Sequence, residues 1–159
     1  MTVVVEHDQV FLIAQDFFAA MVDGDHGLLL AWEGGLPAFT EPIVGWVDLF
    51  GEWTGRASLS TERSTAHELA RALLDLAPDE RITDLDLVDA FGEVANVVGG
   101  TVKSLLPTQG SLGLPQVGRT APQQPGAVVE QELWLSWRGL PLVVTIWALD
   151  NAGEEGNRS

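Results

Sequence analysis

The sequence predicts an α+β fold: an antiparallel-rich sheet of about six strands with long helices packed on one face. Three observations carry this expectation. Residues 43–61 and 128–148 each read as a β-hairpin, and residues 83–106 read as one long amphipathic helix. A hairpin alone cannot bury its apolar face, so the two must share a sheet or stack, and the helices then cover one side. At 159 residues the chain has the length of one ordinary domain with a sizeable core. We expect that domain to span residues 1–149, followed by a frayed tail, DNAGEEGNRS, over 150–159.

The elements follow in order. Asp8 can cap a first helix whose apolar positions Val10, Ile13, Ala14, Phe17, Phe18 and Met21 recur at helical spacing, and VDGDHG ends it. Leu28 to Trp32 suits a short strand. Ile43 to Phe50 and Arg56 to Thr61 form strands joined through Gly51 to Gly55. In the second of these, Ala57 and Leu59 alternate with Arg56, Ser58 and Ser60, which predicts one buried and one wet face. Thr65 with Glu68 reads as a capping box opening a second helix that stops before Pro78. Thr83 caps the long helix, which Pro107 ends.

Residues 107–127 hold four of the eight prolines, four glycines and one charged residue, Arg119. This composition predicts a loop broken by a short strand, Leu112 to Val117, and a linker-like APQQPG stretch. Val128 to Trp137 and Leu142 to Ala148 complete the second hairpin, with Arg138-Gly139-Leu140-Pro141 between them.

Charge and composition exclude several functions. The chain has 23 Asp and Glu against 8 Lys and Arg, a formal net charge of −15, and a single lysine, Lys103. A phosphate backbone or an anionic membrane surface repels such a chain. There is no cysteine and there are only three scattered histidines, His7, His26 and His67. Disulfides, thiolate metal sites and a Cys nucleophile are thereby excluded, and a Ser-His-Asp arrangement has little to draw on. No apolar run is long enough to span a bilayer, and MTVVVEHD lacks the basic start of a secretory signal. The expectation is a soluble, cytoplasmic protein.

On a helical wheel, Leu87, Phe91, Val94, Ala95, Val98, Val102 and Leu105 of the long helix form one stripe. Asp89, Glu93, Asn96, Gly100 and Lys103 collect opposite, on successive turns. Two consecutive glycines, Gly99 and Gly100, each cost about 1 kcal/mol relative to Ala in a helix interior, so something must approach closely there. Taken alone, the polar row also fits an ordinary solvated face, with the glycines making room for a neighbouring element. Asp84, Asp86 and Asp89 suit the helix N-terminus electrostatically better than they suit a metal.

Residues 89–106, DAFGEVANVVGGTVKSLL, resemble the signature helix of the CheC/CheX/FliY chemotaxis phosphatases. That pattern is Asp or Ser, three residues, Glu, two residues, Asn, with a proline further along. Asp89, Glu93 and Asn96 match it, and LGLPQV over 112–117 resembles the downstream strand with its proline, Pro115, after a shorter connection. The turn Gly51-Glu52-Trp53-Thr54-Gly55 is also similar to CheX-type domains, and the single copy of the motif resembles CheX rather than two-site CheC.

The resemblance implies a phosphatase for the aspartyl phosphate of a CheY-like receiver domain. Asn96 would orient the attacking water, Glu93 would pair with the receiver's lysine, and Asp89 would be a supporting contact. Gly99 and Gly100 would let the receiver surface come close. No cofactor belongs to this chain in that reading, because Mg²⁺ sits in the receiver. The resemblance also implies a homodimer joined through sheet edges. The alternative on the same fold is a non-catalytic receiver-binding or assembly module.

Overall fold

The computed structural model describes residues 7–23, 29–77, 79–106 and 110–149. Helix α1 (His7–Phe18) runs into a π-helical turn, Ala19–Asp23, and is followed by β1 (Leu29–Ala31). Strands β2 (Pro42–Gly51) and β3 (Gly55–Glu62) form the first hairpin. Helices α2 (Arg63–Leu73) and α3 (Asp84–Leu105) come next. Two short strands, β4 (Gly110–Leu112) and β5 (Gln116–Gly118), precede the second hairpin, β6 (Ala127–Trp137) and β7 (Leu140–Leu149). The C-terminal tail, the expected helix stops Pro78 and Pro107, and the side chain of Asp8 lie outside the described residues.

All strand pairs are antiparallel, in the order β1-β6-β7-β3-β2, with β4 and β5 sharing the far edge of β2. The two hairpins meet as expected in one sheet, through β3 and β7. Where one strand was expected over 112–117 the chain makes two, so the sheet has seven strands. The break falls on Gly113-Leu114-Pro115, because Pro115 has no N–H to give a ladder. The Gly113 N–H still donates to the Asp48 carbonyl at 2.8 Å.

The core lies between the sheet and the helices. Ile43, Val47 and Leu49 of β2, Ala57 and Leu59 of β3, Leu133 and Leu135 of β6, and Leu142, Val144 and Ile146 of β7 are buried on the helix side. Against them lie Leu69 of α2 and Leu87, Phe91, Val94, Val98 and Val102 of α3, within one cluster that also takes in Val10, Ala14, Phe17 and Phe18 of α1. The helical spacing of these residues is what places them on one stripe.

The start of α3 follows local rules. Thr83 Oγ1 accepts from the Asp86 N–H and the Asp86 carboxylate accepts from the Thr83 N–H, a complete capping box. The start of α2 does not. Thr65, the expected cap, is buried inside the helix, which begins two residues earlier at Arg63. The Arg63 N–H is satisfied by the Glu41 carbonyl at 2.8 Å. The preceding Glu62 points back instead of capping: its carboxylate accepts from the N–H and hydroxyl of Thr40 and from the Glu41 N–H. These bonds, the Thr40 N–H first, hold its pKa below the ordinary carboxylate value.

The face of β3 expected to be wet is largely covered. Arg56 and Ser58 are buried, and so is Thr145, the cross-strand neighbour of Ser58 on β7. The APQQPG stretch is the cover, lying across the sheet rather than acting as a free linker. Arg56 ties it down by donating from Nη1 to the Pro122 carbonyl at 2.6 Å, while its Nε and Nη2 donate to the cross-strand carboxylate of Asp48. A cavity of about 630 Å³ remains between this strap and the strands. The opposite hairpin turns on two residues, Arg138 (φ 52°) and Gly139 (φ 80°), rather than on the expected four. Both are left-handed, which matches the twist of the strands.

Candidate functional site

Helix α3 is held to β2 by two close approaches. A Cβ added at Gly45 of β2 would lie 3.0 Å from the Phe91 ring and 3.1 Å from Ala95 Cβ. A Cβ added at Gly99 of α3 would lie 2.9 Å from Val47 Cγ1, and Val47 is fully buried. Helix and strand therefore press together at both positions where a side chain is missing. Gly99 was expected to admit a partner surface, and the structure corrects this: it is buried and faces the sheet. Gly100 is half-buried, with only Leu112 at 3.7 Å from its Cβ position, so it stays on the accessible side.

With its apolar stripe pinned, α3 turns the opposite face outward. Asp89 and Glu93 are exposed and Asn96 is half-buried. Spacings of four and three residues put them on one ridge, with neighbouring Cβ atoms about 5–6 Å apart. None of the three has a hydrogen-bond or ion-pair partner among the described residues. The other acids of the helix start are occupied, Asp84 by Arg63 at 2.8 Å and Asp86 by the capping box. Among the described residues no group of three or more His, Asp or Glu is placed to hold a metal ion. Lys103, one turn beyond Gly100, makes no ion pair with a described residue and lines a small crevice with Phe50, Trp53 and Leu106.

One neighbour of this ridge comes from a distant part of the chain. The broken edge strand runs beside α3 with opposite chain direction. Leu112 reaches Gly99 and Gly100, while a Cβ at Gly92 would meet Val117 at 3.6 Å and Pro115 at 3.9 Å. Pro115 thus lies next to the helical residue preceding Glu93. The ridge is bounded on that side by the Gly113-Leu114-Pro115 connector, with Leu114 84% exposed. A proline beside two glycines in the sequence signals a turn, but its position against a helix follows only from the pairing of β4 and β5 with β2.

Chemically, the ridge offers a free carboxamide and free carboxylates on a rigid support. A carboxamide can accept from and donate to one water at once. The carboxylates attract a cation and repel a bare phosphate. Among the described residues, no helix is long and apolar enough to cross a membrane.

A family model described as chemotaxis phosphatase CheX matches residues 43–125, more than half of the chain and inclusive of α3 and Pro115. Among solved structures, the chain is similar to CheX of Borrelia burgdorferi in a CheX-CheY-BeF3-Mg complex. The TM-score there is 0.69 at 17% identity, covering 92% of this chain and 99% of that one. It is also similar to the chemotaxis protein CheX of Vibrio vulnificus, with a TM-score of 0.66, 17% identity, and 88% and 93% coverage. A CheX from Desulfovibrio desulfuricans gives 0.62 at 15% identity, with 89% and 97% coverage. At these identities the likeness establishes the shared fold. Among curated protein sequences none matches this chain.

The two glycines should respond to substitution with opposite signs. Gly100→Ala gains helix propensity and meets only an ordinary contact, so it should stabilise by about 0.5–1 kcal/mol. Gly99→Ala gains the same propensity but drives a methyl into Val47, and should destabilise by about 1–2 kcal/mol net. Urea unfolding of both variants checks this; stabilisation by Gly99→Ala would show that α3 does not press on β2 there.

Proposed function

The chain belongs to the CheX chemotaxis phosphatase family, and we propose that it accelerates hydrolysis of the aspartyl phosphate of a CheY-like receiver domain, with Asn96 and Glu93 as the acting pair. The observation that carries this reading is the outward ridge of α3, where both side chains stand free of any described partner beside Pro115.

The chemistry needed is small. A water oxygen forms a bond to phosphorus as the bond to the aspartyl oxygen breaks, releasing phosphate and the free carboxylate. Such a displacement is accelerated mainly by placing the water in line. Asn96 does this by hydrogen bonding through its carboxamide. Glu93 pairs with a lysine of the receiver and so fixes the angle at which α3 meets the phosphorylated site, with Asp89 as a supporting contact one turn earlier. An acidic ridge cannot grip phosphate directly. The phosphoryl group must arrive with its own countercharge, which the receiver's Mg²⁺ and lysine supply, so in this reading the chain brings no cofactor of its own.

Asn96→Ala should lower the rate of receiver dephosphorylation by about a hundredfold, with Asp89→Ala costing less. Decay of a phosphorylated receiver in the presence of wild type, each variant and buffer alone checks this. Equal decay with wild type and Asn96→Ala would remove Asn96 from the mechanism.

We further propose that the chain forms a homodimer through a sheet edge. The outer edge of β1 has no strand beside it among the described residues, and Leu30 on it is exposed, an arrangement that favours pairing. Light scattering at micromolar concentration should give twice the monomer mass; a strict monomer would contradict the dimer.

A further inference from the structure

We propose that Leu114 is the apolar anchor by which this chain docks its receiver and discriminates among receivers. The inference rests on the receiver being the partner of the α3 ridge and adds to it a second contact, on a different element. Leu114 is 84% exposed, more than any other large hydrophobic side chain described. An isolated exposed leucine is ordinary; its setting here is not.

The connector that carries it is fixed at both ends. Before it, β4 pairs with Leu49–Gly51, and after it, β5 pairs with Val44–Trp46. Gly113 is held by its N–H to the Asp48 carbonyl, and Pro115 restricts its own φ. Docking through a side chain on so constrained a backbone costs little backbone ordering.

Its level along α3 is also defined. Leu112 reaches Gly99 and Gly100, and Pro115 reaches Gly92. Leu114 lies between these two contacts, and Asn96 lies between the same two positions on the helix. The connector that carries Leu114 therefore runs past the same stretch of α3 as the residue proposed to hold the water. The footprint is two-sided, Asp89 and Glu93 offering negative charge and Leu114 with Pro115 offering an apolar edge. The partner it fits presents a cation beside an apolar depression, next to its phosphorylation site. A receiver with its lysine at that site meets the first requirement, and the depression is what would vary between receivers.

The test separates docking from chemistry. A CheY-like receiver charged with beryllofluoride and Mg²⁺, a stable stand-in for the aspartyl phosphate, is titrated into wild type, Leu114→Ser, Leu114→Met and Asn96→Ala by calorimetry. Turnover of the phosphorylated receiver is measured in parallel. Leu114→Ser should weaken binding about tenfold and raise KM with kcat unchanged, while Leu114→Met stays within about twofold of wild type. Asn96→Ala should lose kcat and keep its affinity. Equal affinity of Leu114→Ser and wild type overturns the inference and leaves the phosphatase reading standing. Weaker binding by Leu114→Ser from a wild type that never hydrolyses supports the anchor and overturns the phosphatase reading. A wild type that binds no receiver overturns both.

Discussion

The close approach of α3 to β2 is the constraint on which the rest of the molecule depends. Gly45 lets Phe91 and Ala95 reach the strand, and Gly99 lets Val47 reach the helix. Two glycines on facing elements fix both the distance between them and the rotation of the helix about its axis. That rotation decides which residues point outward. Without it, Asp89, Glu93 and Asn96 would be a polar face like any other. With it, they form a ridge whose orientation is held by a core of Phe91, Val94, Val98 and Val102. The backbone that carries these side chains is therefore held in place by the core.

The same close approach positions the other bank. Because β2 is locked under α3, strands that pair with its far edge are carried alongside the helix. The shortened connection from Asn96 to Pro115 still delivers the proline to Gly92, since β4 and β5 are placed by their ladders and not by loop length. On the reverse side of the sheet, Arg56 fastens the 120–125 strap while paired with Asp48. The chain's −15 charge gains a narrower meaning in this frame. Of the acids, the proposed mechanism uses Glu93 and, behind it, Asp89. Asp84, Asp86, Asp48 and Glu62 serve internal bonds.

Much of this was legible from residues near one another in sequence. The cap at Thr83 is a local pattern, and the wheel of α3 separates Glu93 and Asn96 from Phe91 and Val94 by periodicity alone. The hairpins followed from alternation, and the motif Asp89, Glu93, Asn96 pointed to the family. What was not legible depends on distant partners. Thr65 is no cap because Glu41, more than twenty residues earlier, satisfies the helix start. Ser58 is buried rather than exposed because a strap some sixty residues later lies over it. Gly99 faces Val47 and not a visitor, since a glycine in a pattern marks close approach without saying from which side. Leu114 looked like part of a strand until the ladder broke around it.

In the proposed complex the phosphorylated receiver meets the outward ridge of α3 together with the adjoining Gly113-Leu114-Pro115 connector. Backbone NMR of isotopically labelled protein titrated with a beryllofluoride-charged CheY-like receiver tests it most directly. Shifts should concentrate on Asp89, Glu93, Asn96, Gly100 and the Gly113-Leu114 connector, with the strap side of β3 and β7 unmoved. Shifts centred on the cavity beneath the strap, or on β1, with the ridge silent would contradict it.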